Sequence, residues 1–283
     1  MKGSAIVIAP NWRTHNGILC LALVVLAGIA VAEPPAPRVL IVGDSWAASV
    51  ATRGRSAAPG DVPGFGSIEK ALVAEGFSAG LTRGDATAWG GRRADQWVTK
   101  EYLDILTKEF ESYSSFDVLF LCIGGNDLLR AAQERNLGEM SEGEMRTLIE
   151  AITRDVATIL DHCHAQRPKL RAVIYGYAYL DLDAAVRAYK MGFHGLSSTR
   201  FNEVLYELEK AKKGVAKGRP WCAMEVNIAA LQGDDGPPGD PALGMPAEMH
   251  VGDGVHPNAT GHEKMCVATA KHYIGPWLRG ASK

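Results

Sequence analysis

Four short polar clusters hold the residue types that nucleophilic catalysis needs. Gly43-Asp44-Ser45 follows the apolar run Val39–Val42, and Trp89-Gly90-Gly91-Arg92 is the second cluster. Gly124-Gly125-Asn126-Asp127 follows the apolar run Phe116–Ile123, and Asp253-Gly254-Val255-His256-Pro257 precedes the last amphipathic segment. A serine hydroxyl is a weak nucleophile at neutral pH. It needs a base to take its proton, and the base needs a partner that fixes its tautomer and stabilises the imidazolium. Asp253 and His256 stand three apart in a glycine-containing turn. That spacing lets the carboxylate reach Nδ1 of the imidazole and leaves Nε2 free for Ser45. Asn126 and a glycine N–H can donate to an oxyanion, each such donor being worth roughly 3–4 kcal/mol at the transition state.

The elements that must position these clusters alternate between strands and helices. Val39–Val42, Phe116–Ile123, Leu170–Tyr177 and Trp221–Val226 read as short buried strands. Helices are expected over Ser67–Phe77, Ala94–Phe110 and Phe201–Lys217. A long helix begins at a capping box of Ser141 and Glu144, then carries the stripe Met145, Leu148, Ile149, Ile152, Val156, Ile159, Leu160 and Cys163. Thr260 and Glu263 are expected to cap a final helix running to about Leu278. Short apolar strands separated by helices imply a mainly parallel sheet covered on both faces. In such sheets sites form at the carboxyl ends of the strands, which is where the serine and asparagine clusters fall.

Composition narrows the function classes. At 283 residues, 47% apolar and 22% charged, the chain is globular rather than disordered or a multi-span membrane protein. Thirty basic against 32 acidic residues removes the electrostatic basis for a dedicated nucleic-acid binder. Ile18–Ala32 is an apolar run of 15 residues ending in Ala30-Val31-Ala32, a small-x-small cleavage pattern. It is shorter than the roughly 20 residues that span a bilayer. Residues 1–32 are therefore expected to be a cleaved signal peptide and residues 33–283 a single domain. The protein is expected to be exported, periplasmic or secreted, with no stable membrane insertion after cleavage. Export permits disulfides among Cys122, Cys163, Cys222 and Cys266; Cys222 with Cys266 is the pair to test. Asp161-His162-Cys163-His164 has metal-binding residue types, but on a helix positions two apart point in different directions, so no metal site is expected there.

The four clusters, in order, resemble the motif blocks of the SGNH/GDSL hydrolases, a family of serine esterases and acylhydrolases. The blocks run from Gly43 to Pro257, nearly the whole expected mature chain. The resemblance implies a three-layer α/β/α sandwich, flavodoxin-like, with a mainly parallel sheet of about five strands. It implies Ser45 as nucleophile, His256 as base and Asp253 as its orienting acid. The oxyanion hole would comprise the Ser45 N–H, a glycine N–H (Gly91 in preference to Gly90) and the Asn126 amide. No cofactor and no metal are implied. The implied substrate is a small-molecule or carbohydrate ester, with an acetyl or short acyl group favoured because Gly91-Arg92-Arg93-Ala94 is similar to a stretch of some carbohydrate esterases. A lysophospholipase or arylesterase, an acyltransferase using the same site, and a non-catalytic binding module are the alternatives. Members of the family often carry a glycine soon after the nucleophile; Trp46-Ala47-Ala48-Ser49 stands here instead. Trp46 could stack on a substrate or pack, and the insert 51–66 could form a rim of the cleft. His250 is not expected to be catalytic, Arg92 and Arg93 are expected at a solvated helix start, and Asp44 and Asp127 are expected to bond backbone N–H groups around their loops.

Overall fold

A computed structural model of the chain describes residues 35–52, 64–135, 137–190, 192–232 and 239–280. The expected leader, most of the 51–66 insert and residues 233–238 lie outside the described residues. Five parallel strands form one sheet: β1 (Val39–Gly43), β2 (Thr82–Arg83), β3 (Val118–Cys122), β4 (Arg171–Tyr175) and β5 (Cys222–Glu225). Their order is β2-β1-β3-β4-β5. Every residue of β1 and β3 is buried, as expected of central strands covered on both faces. The two pair in register from Val39 against Val118 to Gly43 against Cys122. Their carboxyl ends therefore lie side by side at the point where the strand order reverses.

Ten α-helices are described. They are α1 (Ser45–Val50), α2 (Ser67–Ala74), α3 (Ala94–Trp97), α4 (Lys100–Ser112), α5 (Gly125–Glu134), α6 (Glu142–Gln166), α7 (Leu182–Tyr189), α8 (Ser198–Lys217), α9 (Ala259–Thr269) and α10 (Gly275–Leu278). Helices α1, α2 and α9 pack together in one layer, and α3, α4, α6 and α8 in the other. The fold is the α/β/α sandwich that the alternation of elements implies. The Ser141–Glu144 capping box forms, and the stripe on α6 is buried except for the half-buried Leu148.

Several boundaries differ from expectation. The fifth strand, β2, has two half-exposed residues and no apolar run to announce it. The expected helix over Ala94–Phe110 divides at Val98-Thr99, where Thr99 is extended (φ −73°, ψ 153°) and caps α4. The last helix is capped by Asn258, whose side chain accepts from the Gly261 N–H at 3.0 Å, and not by Thr260. Glu263 instead pairs with Lys70 of α2 at 2.7 Å. Cys222 and Cys266 carry free thiols: Cys266 is buried with its thiol 3.7 Å from Tyr175 Oη, while the Cys222 thiol faces the Ala223 carbonyl. Among the described residues no helix is long and apolar enough to cross a membrane.

Candidate active site

Ser45 opens α1, and Asp44 is the cap: its Oδ1 accepts from the Trp46 N–H at 2.9 Å. Gly43 holds the turn at φ +145°, and a Cβ there would lie 1.8 Å from the Cys122 carbonyl oxygen. Only glycine lets β1 run this close to β3 and then turn the serine out at the carboxyl end of the strand.

The imidazole arrives from the far end of the chain. His256 Nε2 lies 2.7 Å from Ser45 Oγ, and its Nδ1 lies 2.6 Å from Asp253 Oδ2. The Val255 and His256 N–H groups donate to Asp253 Oδ1 at 2.9 and 2.8 Å, so the carboxylate is fixed by its own turn. Burial would raise the Asp253 pKa, but the His256 hydrogen bond and charge outweigh it, and the carboxyl is held well below the usual range. Asp253 thus remains ionised opposite the imidazole throughout the neutral range.

Two histidines near the site have other tasks. His250 Nδ1 accepts from the Gly252 and Gly254 N–H groups at 2.9 and 3.1 Å, bracing the turn that carries Asp253 without touching Ser45. His262 is fully buried on α9, edge-on to Trp46, and burial pushes its pKa down to about 3. Trp46 is a packing residue: it is 2% exposed, and its indole N–H donates to the Val255 carbonyl at 3.0 Å, tying the helix that Ser45 opens to the turn that carries His256.

Asn126 sits in the first turn of α5, with Nδ2 donating to the Arg92 carbonyl at 3.0 Å. That bond uses one of two amide hydrogens and holds the asparagine against the second cluster. In that cluster the Trp89 N–H donates to the Gly43 carbonyl at 3.0 Å, so the glycine pair is anchored at the end of β1. Gly91 is exposed at φ +72°, whereas Gly90 is buried. Asp127 accepts from the Ala94 N–H at 2.8 Å, joining α5 to α3, and burial pushes its pKa up to about 6. Arg92 is not a free cation at a solvated helix start: its guanidinium lies over Trp89, 5.1 Å from the ring centroid. Arg93 pairs with Asp95 at 3.0 Å.

Sequence reasoning missed three supporting groups. Tyr189, at the end of α7, donates its hydroxyl to Asp253 Oδ2 at 2.5 Å and lies 3.2 Å from His256 Nδ1. Tyr177, just beyond β4, donates to Asp44 Oδ2 and accepts from the Gly125 N–H at 3.1 Å. Burial pushes the Asp44 carboxyl up to about 6 despite that donation. Lys212 of α8 lies 4.4 Å from the centre of the Tyr177 ring and forms a fully buried ion pair of 2.5 Å with Glu209. No local signal marks either tyrosine. Lys212 and Glu209 are three apart on a helix, which in sequence reads as an ordinary surface pair.

The residues of metal-binding type on α6 each have a different neighbour. Asp161 pairs with Arg219, His162 Nε2 lies 3.1 Å from Thr107 Oγ1, Cys163 is buried, and His164 stacks on Trp221 at 4.0 Å. Among the described residues no group of three His, Cys, Asp or Glu side chains is placed to hold a metal ion.

A parallel α/β/α sandwich with these clusters at its switch point defines a hydrolase of ester bonds. The family model of the GDSL-like lipases and acylhydrolases matches residues 41–264, and the chain belongs to that family. No curated protein sequence matches the chain. Among solved structures, a lipase from a goat rumen metagenome is 14% identical, with a TM-score of 0.54 over 87% of this chain and 97% of its own. A family 3 carbohydrate esterase from Clostridium thermocellum is 15% identical, with a TM-score of 0.52 over 87% and 99% of the two chains. A family 3 carbohydrate esterase from Talaromyces cellulolyticus is 12% identical, with a TM-score of 0.51 over 86% and 99%. At such identities the likeness establishes the fold.

Proposed function

We propose that the chain hydrolyses carboxylic esters with acetyl or short acyl groups, on a small-molecule or carbohydrate substrate, through an acyl-enzyme on Ser45. The observation that carries this reading is the continuous line of contacts from Ser45 Oγ to His256 Nε2 and from Nδ1 to Asp253. Ser45 Oγ attacks the ester carbonyl carbon while its proton passes to His256 Nε2. The carbonyl π electrons move to oxygen, where the Ser45 N–H, the Gly91 N–H and the second Asn126 N–H donate to the charge. As the tetrahedral species collapses, the bond to the alcohol oxygen breaks and that oxygen takes the proton from His256. Water then repeats the sequence on the acyl-serine, giving the free acid and Ser45. Asp253 stays ionised and stabilises the imidazolium at each step.

Residues 18–32 support a further proposal, that the protein is exported with residues 1–32 removed; N-terminal sequencing of the mature protein tests it. The catalytic reading is tested with a panel of acetylated polysaccharides, lysophospholipids and aryl esters, using Ser45→Ala as control. Turnover of an acetyl ester that falls by about 10⁴-fold or more in Ser45→Ala is the expected result. Unchanged turnover in that variant overturns the reading, and transfer to an added sugar hydroxyl in preference to water converts it to an acyltransferase.

A further inference from the structure

We propose that a small apolar pocket beside Ser45 is the acyl-binding site, and that Leu129, Leu180, Phe201 and Leu205 restrict the acyl group to acetyl. This rests on the hydrolase reading above and adds to it which group enters, where, and what limits its length.

The pocket touches both Ser45 and Asn126 and is otherwise walled largely by apolar side chains, including those four and Val255. The carbonyl carbon must sit at Ser45 Oγ with its oxygen toward Asn126, so one substituent of that carbon lies against the space these two residues share. His256 decides which substituent it is. The leaving oxygen must reach His256 Nε2 to be protonated, and His256 is not part of the pocket wall. The alcohol therefore departs on the histidine side, and the pocket receives the acyl substituent.

The room there is small. The cavity measures about 20 Å³, of the order of the volume of one or two water-sized groups. Room of that order suits a methyl better than an extended chain. The wall is also fixed. Leu180, Phe201 and Leu205 are buried. The Leu180 N–H donates to Asn202 Oδ1 at 2.9 Å, and its carbonyl accepts from Asn202 Nδ2 at 3.0 Å, so the segment after β4 is held on both sides of the peptide. Close-packed side chains of this kind do not swing aside to admit added methylenes. The much larger groove of about 960 Å³ between α6 and α8 is lined by none of Ser45, Asn126 or His256, so it is not a continuation of this pocket.

The test is a p-nitrophenyl ester series (acetate, butyrate, hexanoate) on the full chain, with Leu129→Ala and Leu205→Ala beside it. A methylene that a pocket discriminates changes kcat/KM by about 10–200-fold, so the step from acetate to butyrate is expected to lower it by at least about 100-fold. Each variant is expected to raise the butyrate-to-acetate ratio by about 10-fold or more. Leu129 is half-buried, so Leu129→Ala keeps the test usable where Leu205→Ala fails to fold. Faster inactivation of the unmodified protein by a methylphosphonate than by a butylphosphonate ester is a second expected result, independent of any variant. Equal kcat/KM for acetate and hexanoate, or equal inactivation rates, overturns the size limit. A steep series whose ratio neither variant moves overturns the assignment of the walls. Acetate hydrolysis that survives Ser45→Ala overturns the underlying hydrolase reading instead, so the two failures are distinguishable.

Discussion

Replacing Tyr189 by phenylalanine removes one oxygen from the neighbourhood of the acid–base pair and leaves the ring in place. That oxygen donates to Asp253 Oδ2, the same carboxylate oxygen that accepts from His256 Nδ1. While the phenol donates, part of the carboxylate charge is spent on it, and the imidazolium that forms during catalysis is stabilised less. A hydrogen bond to a charged group is worth about 1.5–3 kcal/mol when shielded from water. Tyr189 is 42% exposed, so water replaces much of the lost bond and the effect is discounted to about 0.5–1 kcal/mol. At 1.36 kcal/mol per tenfold in rate, this corresponds to a factor of about 2–5 for a step that forms the imidazolium. The other ionisable groups that act on His256, Asp44 at the cap of α1 and His262 on α9, are untouched by the change. The expected result for Tyr189→Phe is therefore a kcat/KM raised by about 2–5-fold. The assay is p-nitrophenyl acetate hydrolysis at about pH 8. An unchanged or lowered kcat/KM refutes the reasoning.

Three other substitutions address different parts of the site. Asn126→Ala should lower kcat by about 10²–10³ with little change in KM, since the amide is needed mainly once charge develops on oxygen; steady-state kinetics on one acetyl ester decide this. Lys212→Met leaves Glu209 as a buried charge without its partner and should cost about 3–5 kcal/mol in urea unfolding, whereas the double change Lys212→Met with Glu209→Gln should cost clearly less. The Asp44 carboxyl rises from an ordinary value near 3.8 to about 6 on folding, so it favours the folded state below about pH 4 and that contribution is lost as pH rises to 6. The stability of the protein relative to Asp44→Asn should accordingly fall by about 3 kcal/mol between those pH values, and a flat difference in parallel urea titrations refutes it.

The fold was legible wherever burial dictated residue type. β1, β3 and β4 are buried apolar runs that announce themselves, β5 is marked by the run Trp221–Val226 although only Met224 of the strand is buried, and the α6 stripe and its capping box read directly from spacing. β2 was not legible, because a two-residue edge strand is held by pairing with β1 and carries no apolar run of its own. The same division holds in the site. Ser45, Asn126, Asp253 and His256 fall at the ends of elements that can be located, and the structure brings Ser45, Asp253 and His256 into contact. Tyr177, Tyr189 and Lys212 meet Asp44, Asp253 and Tyr177 respectively only through tertiary packing, so no short window of sequence contains both members of any of these contacts. Trp46 had two readings of equal standing from sequence; the indole bond to Val255 and the burial of the ring decide for packing.

The bond from the Trp46 indole to the Val255 carbonyl joins positions 209 residues apart. On the proposed mechanism, residues far apart in the chain must meet before the Ser45 hydroxyl is activated. During synthesis Ser45 emerges well before His256. On that mechanism a nascent or truncated chain ending before residue 256 would have a nucleophile without a base, and turnover would start only when α9 docks beside α1. Appearance of activity during refolding thus reports the arrival of the final segment, and it should trail any spectroscopic signal from the sheet.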